Sequence, residues 1–260
     1  MMPQWPLPKR DPWSTPFAQV LVEKLDLSPG LTILDIACGS GIPAFYLAEQ
    51  VGPAGRVRAI DINQAQLSRA RAIQGSSLPW LEFSYVDMKA LPNDFPHFDR
   101  ITGNLSVMFF RPNRFDVLKN LIDHLVPGGQ LVLTFPALGT FDSLWARIDQ
   151  EMTSRHLERE KQGLAAYRTE RPSAEEAAQW LNQLGMHHIQ VKNWPLEVHT
   201  GPGLEFLFHP LLRGGFLDDV FECFEDQGLA NALMNTVAQD LPSFLPLIAQ
   251  RCVLSAWKPG

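Results

Sequence analysis

Residues 31–41 read LTILDIACGSG, and this stretch decides the fold. Its first half is an apolar run typical of a buried strand, and its second half is a turn of small residues and glycine. The next segment, IPAFYLA at 42–48, has apolar residues at helical spacing and an early proline, which favours the start of a helix. A strand, a glycine turn and a helix in this order predict a backbone cradle for a nucleotide-like ligand.

Strands and helices alternate on both sides of this stretch. Such alternation predicts an α/β fold: a Rossmann-like, doubly wound, mostly parallel seven-stranded sheet with helices on both faces. Ligands on this architecture bind at the carboxyl ends of the strands. By apolar periodicity the predicted strands lie at about 31–37, 57–62, 81–86, 98–105, 131–135, 188–193 and 247–257.

The sequence predicts a single domain with one large insertion. Residues 1–13 contain four prolines and two tryptophans and predict an irregular N-terminal arm. The core covers 14–194, and 247–260 supply its last strand. Between them, 195–246 are rich in Phe and Leu, which favours a helical cap folded over the ligand edge of the sheet. An insertion that packs only on itself is the alternative.

Composition excludes several classes of function. The 260 residues carry a net charge of −6, which argues against a nucleic-acid partner because such partners usually meet a basic face. No apolar run is long enough to span a membrane, and the proline-rich start lacks a secretory signal, so we expect a cytoplasmic protein. The three cysteines lack metal-ligand or redox-pair spacing, which predicts neither a disulfide nor a metal site. The oligomeric state is left open.

Four segments in order resemble a known family. They are LDIACGSG at 34–41, AIDIN at 59–63, YVDMKALP at 85–92 and LVPGGQLVLTF at 125–135. Together they resemble the class I S-adenosylmethionine-dependent methyltransferases, and are most similar to the branch of ubiquinone and menaquinone biosynthesis enzymes. The resemblance covers about 31–135 and implies S-adenosyl-L-methionine as cofactor, S-adenosyl-L-homocysteine as product, and methyl transfer by in-line displacement.

A dinucleotide fingerprint competes with this interpretation. Gly39, Gly41 and Ala44 also spell G-x-G-x-x-A, and Asp61 follows about 20 residues later, where it could hold the ribose of either cofactor. Asp35 separates the two, because a carboxylate below the glycine turn repels a pyrophosphate but favours the ammonium and sulfonium of the methyl donor. An NAD(P)-dependent oxidoreductase therefore remains the less favoured alternative.

The resemblance also implies which residues contact the cofactor. Asp35 would orient the loop and the methionine end, Gly41 would allow tight helix packing, and Asp61 would hold the ribose hydroxyls. The end of the fourth strand would offer backbone to the methionine amino group. The implied cofactor-binding residues are Asp35, Ala37, Cys38, Gly39, Ser40, Gly41, Asp61, Ile62, Asp87, Met88, Asn104, Leu105 and Ser106.

Several of these residues also have structural explanations. Asp87 could accept a hydrogen bond from the exocyclic amine of adenine, and Met88 could pack on the adenine ring. Alternatively, Asp87 could cap a turn and Met88 could belong to the core. Small size explains Cys38 in a glycine turn better than nucleophilic chemistry does. Asp99, although acidic residues are common at its position in the family, is expected to be structural.

No catalytic residue follows from the chemistry, because a methyl sulfonium is already activated and needs mainly orientation and exclusion of water. An oxygen or acidic-carbon acceptor would need a base, for which the candidates are His156, His199 and His209. Asn104 to Val107 lack the asparagine-proline-proline-aromatic signature of amino-directed DNA methyltransferases. We therefore expect a small-molecule acceptor with apolar surface, and a cofactor-binding protein without transferase activity is the second hypothesis. The expected walls of the acceptor pocket are Phe109, Phe110, Trp145 and Phe206.

Overall fold

The computed structural model describes residues 13–198, 205, 207–208, 217–240 and 245–260. The strands are β1 (Thr32–Ile36), β2 (Arg56–Asp61), β3 (Leu81–Tyr85), β4 (Phe98–Gly103), β5 (Leu125–Pro136), β6 (His187–Val198) and β7 (Leu247–Trp257). The helices are α1 (Ser14–Lys24), α2 (Ile42–Val51), α3 (Gln64–Gln74), α4 (Arg114–Asp123), α5 (Asp142–Ser154), α6 (Glu158–Thr169), α7 (Ala174–Gln183), α8 (Asp218–Glu222) and α9 (Gln227–Asp240). Single 3-10 turns lie at Met88–Ala90 and Val107–Phe110.

The seven strands form one sheet in the order β3-β2-β1-β4-β5-β7-β6. The pairings of β1 with β2 and β4, of β2 with β3 and of β4 with β5 are parallel. Connections run outward in one direction from β1 and in the other from β4, so the strand order reverses between these two central strands. This reversal is where doubly wound sheets bind their ligands. The predicted seven-stranded Rossmann-like fold is confirmed.

Strand β1 lies in the core because three of its five residues are apolar and both of its neighbours are strands. Ile33, Leu34 and Ile36 are fully buried. The chain then turns through Gly41, whose φ of 89° is in the left-handed region that glycine tolerates, directly into α2. Asn63 caps α3 by accepting from the backbone N–H of Gln66, as its sequence position predicts.

Two strands differ from their predicted bounds by more than two residues. β5 begins at Leu125, six residues before the predicted start, and includes Pro127–Gly129, a composition typical of a turn. The segment is an irregularity inside the strand, where the pairing shifts from Phe98 with Leu125 to Arg100 with Gln130. β6 extends to Val198, so its last four residues fall inside the range predicted as the cap.

The chain divides into two compact units. The first contains residues up to 135, 174–193 and 252–260, and the second contains 136–173 and 194–251. In the second unit, Arg147 of α5 forms ion pairs with Glu151 at 3.0 Å and with Asp240 of α9 at 2.6 Å. The helical cap at 195–246 stays a prediction because much of that range lies outside the described residues, as does the predicted arm up to residue 12.

Within the described ranges, every helix is too short or too polar to cross a membrane. The cytoplasmic location expected from the sequence stays a prediction.

Candidate cofactor site

The glycine loop after β1 is fastened to β2 through its backbone amides. The Cys38 N–H donates to the Ile60 carbonyl at 3.0 Å, and the Gly39 N–H donates to Asp61 Oδ2 at 2.8 Å. The loop then closes on itself where the Gly41 N–H donates to the Cys38 carbonyl at 2.8 Å. Since these amides are used within the protein, they are not offered to a pyrophosphate at the start of α2.

Two glycines of the loop are needed for different reasons. A Cβ on Gly41 would lie 2.8 Å from the ring of Phe45 and 2.9 Å from that of Phe83, so only glycine lets α2 approach the sheet this closely. A Cβ on Gly39 would meet nothing within 4 Å. Gly39 therefore lies beside open space, where a ligand can approach the backbone of the loop.

Asp35 is the most unusual group in the site. The residue is fully buried, and among the described residues neither carboxyl oxygen has a hydrogen-bond partner. Burial, and secondly the negative charge of Asp61, raise the pKa of this carboxyl well above its usual range. A buried carboxyl without partners is costly, and a ligand that brings a cation would relieve that cost.

Asp61 holds two segments of backbone at the carboxyl end of β2. Besides the bond from Gly39, its Oδ1 accepts from the Asn63 N–H at 2.7 Å, at the start of α3. The carboxylate therefore fixes the glycine loop, a role that the sequence does not reveal. Its expected contact with a ribose stays a prediction, and it would use the remaining lone pairs of the two oxygens.

The neighbouring edge of the sheet exposes two large hydrophobic side chains, Ile62 and Tyr85. Ile62 is 57% exposed after β2, and Tyr85, the register partner of Asp61 at the end of β3, is 63% exposed. Asp87 is exposed and accepts from the Lys89 N–H at 2.9 Å, which is the turn-capping bond of its structural explanation. Met88 is buried, as expected of a core residue. The expected adenine contacts of Ile62, Asp87 and Met88 stay predictions.

The segment after β4 is held by Thr134 of β5, which the sequence reasoning missed. Thr134 Oγ1 accepts from the Leu105 N–H at 2.9 Å and donates to Asn104 Oδ1 at 2.8 Å, and its carbonyl accepts from the Ser106 N–H at 3.2 Å. These bonds hold Leu105 at a φ of 56°, an uncommon value outside glycine. One hydroxyl residue in the apolar run LVLTF is the signal that could have revealed Thr134.

The structure also bears on Cys38, on Asp99 and on metal binding. Cys38 is buried, and burial, Asp35 and Asp61 all raise the pKa of its thiol, which disfavours a nucleophile. Asp99 lies at the amino end of β4 and accepts from the backbone and side chain of Thr32 at 2.8 and 2.6 Å, a structural role. Across the described part of the chain, no cluster of three or more His, Cys, Asp or Glu side chains could hold a metal ion.

The predicted bases and pocket walls are only partly described. His156 is exposed just after α5, whereas His199 and His209 lie outside the described residues. Phe109 is 42% exposed, but Phe110 and Trp145 are buried. The fourth expected wall residue, Phe206, lies outside the described residues.

The similarity to known protein families covers the segment that contains the glycine loop, Asp35 and Asp61. Residues 33–129 match the family model described as "Methyltransferase domain". Methyltransferase GfsG of Streptomyces halstedii is 32% identical over 125 residues, which cover 48% of this chain and 45% of the relative. The tRNA (guanine(6)-N2)-methyltransferase of Thermus thermophilus is 35% identical over 125 residues, 45% of this chain and 37% of the relative.

A third relative comes from the quinone branch named above. The demethylmenaquinone methyltransferase of Lactococcus lactis is 36% identical over 104 residues, which cover 40% of this chain and 41% of the relative. The chain thus spans less than half the length of these three relatives.

Solved structures share the fold over nearly the whole chain. The structure of the [4+2]-cyclase SpnF has a TM-score of 0.58 at 19% identity and covers 98% of this chain and 86% of its own. A structure titled as a methyltransferase from Bacillus halodurans has a TM-score of 0.55 at 18% identity and covers 94% of this chain and 99% of its own. At these identities the likeness concerns the fold alone.

Proposed function

We propose that this chain, which matches a methyltransferase domain model over residues 33–129 and shares its fold with solved methyltransferase structures, binds S-adenosyl-L-methionine and transfers its methyl group to a small molecule. The match falls on the part of the chain that contains the four sequence segments quoted above. The activity, the cofactor and the acceptor of the whole protein belong to the proposal.

The buried carboxyl of Asp35 is the observation that carries the proposal. It lies at the end of β1, next to the strand-order reversal, under a loop whose first amides are bonded to β2. A ligand suited to this position brings positive charge and does not need free amides. The methyl donor, with an ammonium and a sulfonium, meets both conditions, whereas a dinucleotide pyrophosphate meets neither.

The rest of the site fits the other parts of this cofactor. Asp61 has acceptor capacity for ribose hydroxyls, and hydrogen bonds to charged groups contribute about 1.5–3 kcal/mol each. Open space beside Gly39 allows the cofactor chain to contact the loop backbone. Exposed Ile62 and Tyr85 offer apolar surface beside Asp61 for the adenine ring.

The bound sulfonium would supply an activated methyl group, so this chain's residues need to bind, orient and exclude water. Asp35 and Asp61 would fix the two ends of the cofactor, and the Thr134-supported turn at Asn104–Ser106 would present rigid backbone near the methionine end. We assign no general base. His156 is the described candidate, while His199 and His209 remain hypotheses.

Two features support a small-molecule acceptor. The net charge of −6 disfavours a nucleic-acid partner, although one reported relative is named as a tRNA methyltransferase. The demethylmenaquinone methyltransferase among the relatives is named for a small-molecule acceptor. An acceptor with apolar surface agrees with the Phe and Leu content of the insertion at 195–246.

Label transfer tests the proposal against its alternatives. The protein would be incubated with methyl-labelled S-adenosyl-L-methionine and either a small-molecule extract of cells or bulk tRNA, and label would be counted in each fraction. We expect label in the small-molecule fraction. Label in tRNA alone would contradict the acceptor class. Cofactor binding with no transfer to either fraction would favour a non-transferase role; the same fold occurs in a [4+2]-cyclase.

A further inference from the structure

Asp35 has a neighbour that the proposed function does not use. Thr102 of β4 is the register partner of Asp35 across the junction of β1 and β4. In-register residues of adjacent parallel strands lie on the same face of the sheet, about 4.8 Å apart along the hydrogen-bonding direction. Thr102 is fully buried, and within the described residues its hydroxyl has no hydrogen-bond partner. Three unsatisfied buried oxygens therefore belong to two neighbouring side chains.

We propose that Asp35 and Thr102 form a proton-linked pair: Asp35 is neutral in the free protein and releases its proton to solvent when the cationic cofactor binds, and the Thr102 hydroxyl then donates to the carboxylate. The proposal rests on the proposed function, since it needs a cofactor with an ammonium group. It assigns Thr102 as a positioning residue, which acts through Asp35.

Burial explains why Asp35 is neutral in the free protein. A charged carboxylate with no partner pays the full cost of leaving water, and the nearby carboxylate of Asp61 adds repulsion. Both effects raise the pKa of Asp35. A cation bound within about 4–6 Å acts in the opposite direction and favours the charged form. Cofactor binding and proton release are therefore linked.

A hydroxyl is suited to both states of this pair. It can accept a hydrogen bond from a neutral carboxyl and, after rotation, donate one to a carboxylate. The other register partner of Asp35 is Ala59 on β2, whose side chain can do neither. Of the two register partners of Asp35, Thr102 is thus the one whose side chain can hydrogen-bond to both the neutral and the charged carboxyl.

Other titratable groups surround Asp35, so the pH dependence must be assigned by substitution. Asp61 acts from β2, and Cys38, whose thiol has a raised pKa, acts from the loop. Arg100 lies on β4 but is held at the amino end of the sheet by Asp26. On α2, which packs on β1, the titratable residues are Tyr46 and Glu49.

Titration calorimetry with S-adenosyl-L-homocysteine tests the pair between pH 5 and 7, where the ligand's α-amino group is already protonated. Running each titration in two buffers of different ionisation enthalpy counts the protons released. We expect affinity to rise with pH by up to about tenfold per unit, the limit for one linked proton. Release of up to one proton per ligand should accompany this rise. Asp35→Asn should bind with a flat pH profile and no release.

Thr102 is tested by two matched substitutions. Thr102→Val keeps the shape and removes the hydroxyl, so we expect affinity at pH 7 to fall by about 10- to 150-fold, the range for a hydrogen bond to a charged group. The pH range over which the affinity of this variant rises should move to higher pH. Thr102→Ser should restore both the affinity and the profile. A purely structural Thr102 would weaken binding equally at every pH. Thermal unfolding confirms that each variant is folded.

The outcomes separate this inference from the proposed function. Tight binding by the wild type with a flat pH profile, or the same pH slope in Asp35→Asn, overturns the proton-linked pair and leaves the proposed function standing. An unchanged profile in Thr102→Val overturns the role of Thr102. If the wild type does not bind S-adenosyl-L-homocysteine at any pH, the proposed function fails, and the pair fails with it.

Discussion

Replacing Asp61 with alanine removes a group that serves both the loop and the expected cofactor. Its two oxygens accept backbone bonds of 2.8 Å from Gly39 and 2.7 Å from Asn63. We expect the ribose contact alone to account for about 1.5–3 kcal/mol of binding, or roughly 10- to 150-fold in Kd. The substitution also removes the hydrogen bond that positions the Gly39 amide. We therefore expect the loss of affinity to lie in the upper part of that range.

The same substitution should also lower stability. Loss of the part-buried bond from Gly39 and of the exposed bond from Asn63, at about 0.5–1.5 kcal/mol net each, predicts a decrease of about 1–3 kcal/mol in the free energy of unfolding. This loss of stability comes from the two backbone bonds and is separate from the loss of the ribose contact. Affinity is measured by calorimetry with S-adenosyl-L-homocysteine, and stability by urea unfolding.

Asp99→Ala is the matched control. Asp99 also joins its carboxylate to the chain of a neighbouring strand, at 2.8 and 2.6 Å from Thr32, but at the amino end of the sheet. It should lose a similar amount of stability and keep its affinity within about twofold, since ligands bind at the opposite edge. If Asp61→Ala binds S-adenosyl-L-homocysteine like the wild type, or if Asp99→Ala binds it as weakly as Asp61→Ala does, Asp61 does not hold the ribose.

Three further outcomes follow from the geometry of the site. Gly41→Ala should lose about 2–5 kcal/mol in urea unfolding, because the cost of a positive φ, about 1–2 kcal/mol, adds to about 1–3 kcal/mol for overlap with two phenyl rings. Gly39→Ala should lose about 1–2 kcal/mol from its positive φ alone and should weaken S-adenosyl-L-homocysteine binding; equal stability losses in the two variants would contradict the steric overlap at Gly41. The pKa of Asp35 is raised in the folded state, so its contribution to stability is present at low pH and is lost as pH rises through that pKa. The unfolding free energy of the ligand-free wild type should therefore fall relative to Asp35→Asn with rising pH, and a constant difference would refute a neutral Asp35. A thiol reagent should modify half-buried Cys223 well before Cys38, and Cys38→Ala should keep cofactor affinity; rapid labelling of Cys38 would contradict its burial and raised pKa.

The alternation of apolar strands and helices predicted most of the sheet, because burial of one face of a strand or helix imposes a regular apolar period on its sequence. β7 shows this best, since its apolar run gives the same bounds, 247–257, in sequence and structure. The start of β5 could not be predicted from apolar periodicity. The Gly128 N–H donates to the Lys258 carbonyl at 3.1 Å, and the Lys258 N–H donates to the Gly129 carbonyl at 2.8 Å. Contacts about 130 residues apart make a strand of a segment whose local composition indicates a turn.

The candidate site shows the same limit. Residue types and spacing located Asp35 and Asp61 at the carboxyl ends of β1 and β2. They did not show that Asp61 holds the loop, or that the Asp35 carboxyl has no hydrogen-bond partner among the described residues, because both facts depend on how the strands and the loop fold together. Thr102 and Thr134 could not be predicted for a related reason. Which groups a threonine hydroxyl within an apolar strand can contact depends on the residues of the neighbouring strand and loop.

We expect the glycine loop and Asp35 to hold an S-adenosyl cofactor and not a dinucleotide. Calorimetric titration of the same protein with S-adenosyl-L-homocysteine and, separately, with NAD tests this assignment directly, since both contain an adenosine and only NAD contains a pyrophosphate. The expected result is saturable 1:1 binding of S-adenosyl-L-homocysteine and no measurable binding of NAD at the same concentrations. Tight binding of NAD without binding of S-adenosyl-L-homocysteine would overturn the assignment.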